Sequence, residues 1–225
     1  MKETFYERIG EAVCRERLRN GLGVCGLPRP CYAKKYAVFS TRYGGMDTRF
    51  WLDGQWLNTP AGIAHYLEHK MFDTREGNAL QELAKNGAEP NAFTANAMKA
   101  YYFDSKEPFE ENLRILLYFV SLPYFPEDSV AKEQGIIAQE IGMIEDDPEW
   151  QVYTRMLQAL YRESPARIPV AGSVESLPRL TAENLYRCPT AFHHPANMFL
   201  GAVGTLAPGA RLRAAGGDRD AHTCI

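Results

Sequence analysis

His65 and His69 stand four residues apart in the run His65-Tyr66-Leu67-Glu68-His69. On a helix this spacing stacks two imidazoles one turn apart on one face. Their Cβ atoms then lie about 5 to 6 Å apart, close enough for both rings to converge on one ion. Glu68 shares that face, three residues after His65. Its place just before the second histidine reverses the H-E-x-x-H zinc motif. The same five-residue pattern also occurs on solvated helix faces, where it holds nothing. Here Ala61, Ala64, Leu67 and Phe72 surround the motif with the small and apolar residues of an inward-facing helix.

Such a centre needs a third protein ligand. The spacing predicts a helix over 128–144, on which Val130, Glu133, Ile137, Glu140 and Ile144 fall on one stripe. Burying a carboxylate without a partner costs several kcal/mol, so two acids in an apolar stripe call for a cation, a donor network or a different helix phase. Glu140 as ligand, with Glu133 two turns away holding an imidazole N–H, would satisfy both. Other titratable groups have plainer readings. His193-His194 precedes Pro195 and reads as loop, His222 lies in the final segment, and Asp146-Asp147 before Pro148 marks a helix end.

The elements that must position these residues follow from periodicity and turn chemistry. Asn20-Gly21 predicts a hairpin joining 16–22 to a strand over 24–27, and 36–43 reads as a further strand. A helix is expected from Thr59 to Phe72, with Thr59 as N-cap and Pro60 in its first turn. A second covers 78–85, ended by Asn86-Gly87, and 93–103 reads as one strand or as two around Asn96-Ala97. Further helices are expected over 108–124 and 150–161, with a short one opening at Thr181 and a last strand over 197–203. The fold class is α+β: a mostly antiparallel sheet with helices packed largely on one face and the site where two of them meet.

With 225 residues and 45% apolar content, the chain has enough material for a substantial core. Its net charge of -3 offers no basic patch for phosphate backbones or anionic lipid, so nucleic acid and membrane are not expected as partners. The longest apolar run, 115–120, is far short of the roughly 20 residues needed to cross a bilayer. The N-terminus interleaves charges with apolar residues and lacks a secretion-signal core, which predicts a cytoplasmic protein. Cys14, Cys25, Cys31, Cys188 and Cys224 form no C-x-x-C pair and fit reduced thiols. From Gly204 the texture changes to Ala, Gly and Arg without period. The expected division is therefore a domain over 1–203 and a tail over 204–225 that is disordered, truncated or out of register.

Several separated segments resemble the pitrilysin and insulinase family of zinc peptidases, which includes the mitochondrial processing peptidases. They are HYLEHKMF at 65–72, Asn91-Ala92-Phe93-Thr94, Tyr101-Tyr102, KEQGIIAQEIGMIEDDP at 132–148, Val170-Ala171-Gly172-Ser173 and HPANMFLGAVG at 194–204. The resemblance implies one Zn2+ ion on His65, His69 and Glu140, Glu68 as general base, and Glu133 supporting the ligands from behind. It further implies that Asn91, Ala92, Phe93 and Thr94 offer a sheet edge to which an unstructured peptide adds as a strand. Family members pair a metal-bearing half with a second, similar half, in one chain or in a partner subunit, and nothing in 204–225 resembles the family's continuation. Two functions are therefore weighed: a zinc-dependent endopeptidase, and a catalytically incompetent fragment or scaffold subunit that binds zinc or peptide without turnover.

Overall fold

Short alternating segments in the first quarter of the chain form strands because every second side chain can be buried. The computed structural model describes residues 1–205. It opens with β1 (Lys2–Tyr6), β2 (Glu11–Arg17), β3 (Gly23–Pro28) and β4 (Lys35–Thr41), followed by a small separate hairpin, β5 (Arg49–Leu52) and β6 (Gln55–Asn58). Gly21 takes a positive φ of 93° in the turn between β2 and β3, and Asn20 Oδ1 accepts from the Leu22 N–H at 3.1 Å. Next come α1 (Ile63–Lys70), the two-residue strands β7 (Asp73–Thr74) and β8 (Gly77–Asn78), α2 (Ala79–Lys85), β9 (Glu89–Thr94) and β10 (Lys99–Ser105). The chain continues through α3 (Phe109–Ser121), α4 (Glu127–Asp146), α5 (Pro148–Leu160), α6 (Ala182–Phe192) and β11 (Met198–Gly204).

Seven strands form one sheet in the order β1-β2-β3-β11-β4-β10-β9. Every neighbouring pair is antiparallel except β3 with β11. Alternation decides the faces. Ala37 and Phe39 of β4, with Tyr101 and Phe103 of β10, are buried, while Tyr36 and Tyr102 pair on the opposite side with ring centroids 5.5 Å apart. Helix α3 lays Leu113, Leu116, Phe119 and Val120 into the core. Phe72, Tyr101 and Phe119 meet there with centroids 5.1 to 5.6 Å apart. Each such side chain contributes about 1.5–3 kcal/mol by leaving water. The α+β class expected from the sequence is the one observed.

Two expectations need correction, and two strand pairs were not foreseen. The first helix begins at Ile63, not at Thr59: its N-cap is Gly62 with φ 87°, and the Thr59 hydroxyl donates instead to the Thr48 carbonyl at 3.2 Å. A Cβ on Gly62 would stand 2.5 Å from the Ala171 carbonyl oxygen, so close backbone packing against the 170–173 segment sets the start of the helix. The charged N-terminal run, to which the sequence reading assigns no element, is a strand pair, β1 with β2, held by its antiparallel backbone ladder with most of β1 exposed. The hairpin β5–β6 turns through Asp53-Gly54, both with positive φ, a dipeptide whose turn propensity the sequence reading overlooks. His193 is no simple loop residue; it caps the end of α6 and is buried. Of the expected tail, everything beyond Thr205 lies outside the described residues.

Candidate metal centre

Helix α1 carries His65, Glu68 and His69, and α4 carries Glu133 and Glu140. Ile63, Ala64, Tyr66 and Leu67 bury the opposite sides of α1. The Tyr66 hydroxyl donates to the Val130 carbonyl, which ties the two helices together at depth. Val130, Ile137 and Ile141 seat α4 in the core. Ile141 replaces Ile144 as the lowest buried position, and Ile144 instead lines a neighbouring cavity.

The two imidazoles lie with ring centroids 4.8 Å apart and planes at 70°. His65 Nε2 is 3.3 Å from Glu140 Oε1, and His69 Nε2 is 3.3 Å from Glu140 Oε2. Donor atoms of His65, His69 and Glu140 all fall within 4.8 Å of one another. Ligands about 2.0–2.1 Å from a tetrahedral ion are about 3.3 Å apart, so the nitrogen and oxygen spacing suits zinc. Burial alone would lower the His69 pKa, but its hydrogen bond with Glu133 and the charges of Glu140, Glu133 and Glu68 leave it above the ordinary imidazole value. Glu140 is held below the usual carboxylate range, chiefly by its contact with His65. The pocket is thus electronegative and ready for a cation.

Glu133 Oε1 stands 3.0 Å from His69 Nδ1. With the proton on Nδ1, that nitrogen donates to Glu133 and Nε2 keeps its lone pair toward Glu140. Glu68 faces β9, where the Thr94 hydroxyl donates to Glu68 Oε2 at 2.5 Å. Asn91, Ala92, Phe93 and Thr94 lie on β9, the outermost strand at this end of the sheet. The Ala92 N–H donates to Asn91 Oδ1 at 2.8 Å. An apolar cavity of about 190 Å3 opens beside His65 and Thr94, walled by Trp150, Tyr153, Leu157 and Ile168. The sequence reading misses this aromatic wall, although Trp150, Tyr153 and Leu157 recur at helical spacing on α5.

A His-His-Glu donor set between two helices that cover one face of a mostly antiparallel sheet defines the class to which this domain belongs. The chain is a member of the insulinase family of peptidases, family M16, whose model matches residues 58–174 and so includes both α1 and α4. A zinc protease of Bacillus subtilis named YmfH, itself uncharacterized, is 44% identical over 210 residues, covering 92% of this chain and 49% of its own length. An uncharacterized zinc protease of Rickettsia felis is 27% identical over 84% of this chain and 45% of its own. The solved structure of an M16-like peptidase from Alicyclobacillus acidocaldarius superposes with a TM-score of 0.88 at 39% identity, over 93% of this chain and 50% of that one. A domain from Pseudomonas fluorescens described as a peptidase M16 inactive domain shares the fold with a TM-score of 0.73 at 19% identity. The chain spans about half the length of the curated relatives it matches.

Proposed function

We propose that the chain is the zinc-bearing half of an endopeptidase acting on unstructured peptides, with His65, His69 and Glu140 as ligands and Glu68 as general base. The observation that carries the reading is the convergence of both Nε2 atoms on the Glu140 carboxylate at 3.3 Å, with Glu68 beside them. Zinc held there would lower the pKa of water toward 7 and polarise a peptide carbonyl. Glu68 takes the proton of the attacking water and returns it to the leaving amine, while Thr94 holds the base in place. Glu133 keeps His69 in the tautomer that presents Nε2. A peptide entering beside β9 pairs with Asn91, Ala92, Phe93 and Thr94 as an added strand, the Ala92 N–H exchanging Asn91 for the peptide carbonyl. The cavity walled by Trp150, Tyr153 and Leu157 takes an apolar side chain next to the scissile bond. Among the described residues Cys14, Cys25, Cys31 and Cys188 are free thiols, in keeping with a cytoplasmic setting.

A second reading, a zinc- or peptide-binding scaffold without turnover, draws support from the chain spanning about half of its relatives' length. One experiment separates the two. Zinc content and cleavage of an internally quenched peptide are measured for the wild type, Glu68→Gln and His65→Ala, each with and without the remaining half of the longer protein supplied in trans. The peptidase reading expects one zinc per chain in wild type and Glu68→Gln, none in His65→Ala, and a cleavage loss of about 10²–10⁴ in Glu68→Gln. Wild-type cleavage equal to that of Glu68→Gln in both conditions, with zinc bound, would leave only the scaffold.

A further inference from the structure

Lys70 follows the second histidine directly and is 1% exposed. A buried ammonium is costly unless its charge is met, and here it is met from three sides. Its Nζ donates to Asp73 Oδ2 on β7 and to Ser129 Oγ on α4 at 2.6 Å, and lies 3.7 Å from Glu133 Oε2. Ser129 Oγ in turn donates to Asp73 Oδ2 at 2.7 Å. Glu133 is therefore a bridge: Oε1 faces His69 Nδ1 at 3.0 Å, and Oε2 faces the ammonium.

We infer that Lys70 is a positioning residue for the metal centre, acting through Glu133 on His69. The inference rests on the zinc reading above. The physical need is plain. Glu133, Glu140 and Glu68 are gathered around His69, and like charges in a half-buried space push a carboxylate outward. An ammonium against its rear oxygen offsets that repulsion, so Glu133 stays aimed at His69. Asp73 and Ser129 hold the lysine, and the lysine holds the acid. The chain from β7 through α1 to α4 thereby joins the two helices on which the ligands stand.

The test is zinc affinity, read by competition with a chromophoric chelator on the 225-residue chain. Lys70→Met and Glu133→Gln are each expected to weaken zinc binding by about 10–100-fold, the range of lost outer-sphere partners. Lys70→Met added to Glu133→Gln is expected to cost less than about threefold more, because the lysine has then lost the group it acts through. An undiminished Lys70→Met effect in the Glu133→Gln background would overturn the inference. Asp73→Asn loosens the anchor of Lys70 and is expected to weaken zinc binding measurably, but by less than about threefold once Glu133→Gln is already present. Zinc binding unchanged by Asp73→Asn, or a loss that persists in the Glu133→Gln background, would also overturn it, and this arm decides the matter if Lys70→Met does not fold. Glu140→Gln separates the two claims: if it keeps full affinity, the centre itself fails, whereas if it loses zinc and Lys70→Met does not, only the role of Lys70 falls.

Discussion

His193 and Lys99 carry a titration that has nothing to do with metal. Both are buried beside α6, with Lys99 Nζ 4.8 Å from the centre of the Tyr43 ring. Burial, helped by the nearby Lys99 charge, pushes the His193 pKa down to about 3, and burial pushes Lys99 down to about 7 despite Cys188 and Glu68. The unfolded chain keeps ordinary values near 6.5 and 10.4. In each window the unfolded state binds a proton that the folded state refuses, so stability rises with pH, by up to about 1.4 kcal/mol per unit for each group. His193 acts between about 3 and 6.5, and Lys99 between about 7 and 10.4. Urea titrations across pH are expected to show a flatter lower window in His193→Gln and a flatter upper window in Lys99→Met. Slopes identical to wild type in both variants would refute the assignment.

Elements of this protein are separated by backbone approach as much as by hydrophobic period. Gly62 starts α1 with φ 87° against Ala171, and a Cβ there would meet the carbonyl at 2.5 Å. Gly142, inside α4, has nothing within 4 Å of the place where its Cβ would stand. Substitution by alanine should therefore change stability in opposite directions. Gly62→Ala is expected to cost about 1–3 kcal/mol, and to weaken zinc binding because α1 shifts. Gly142→Ala is expected to add about 0.5–1 kcal/mol by removing chain entropy from the unfolded state. Equilibrium denaturation reads both, and a destabilised Gly142→Ala would show that α4 meets a neighbour there. Side-chain caps fix other helix starts locally: Asn78 accepts from Leu80 and Gln81, Asp147 from Glu149 and Trp150, and Thr181 from Asn184.

At the scale of the whole molecule, the candidate centre is a cross-link between α1 and α4, whose nearest ends, Lys70 and Glu127, have 56 residues between them, a separation no periodicity spans. An ion that binds only the folded arrangement adds about 2.7 kcal/mol at a free concentration a hundredfold above its Kd. For a domain of this size that is a rise of about 5–10 °C in the thermal midpoint. Zinc is expected to raise the midpoint by this amount in the wild type and a chelator to reverse it, with no response in Glu140→Gln. A zinc response unchanged in Glu140→Gln would move the ion elsewhere. Among the described residues no helix is long and apolar enough to cross a membrane.

His65, Glu68 and His69 were legible in sequence because the helical period alone puts them on one face of α1. Glu133 and Glu140 were legible for a related reason, as acids interrupting an apolar stripe on α4. The hairpin at Asn20-Gly21 and the helix start at Thr181 were legible because local backbone chemistry decides them, whereas the start of α1 was not, because packing against Ala171 decides it. The tertiary structure alone decided what lies across from each: Thr94 against Glu68, Lys70 behind Glu133, the α5 aromatics beside His65, and His193 in the interior. Those contacts join residues up to dozens of positions apart, and they depend on how the helices pack over the sheet. Local sequence sets the direction in which a side chain points, whereas packing sets what it meets.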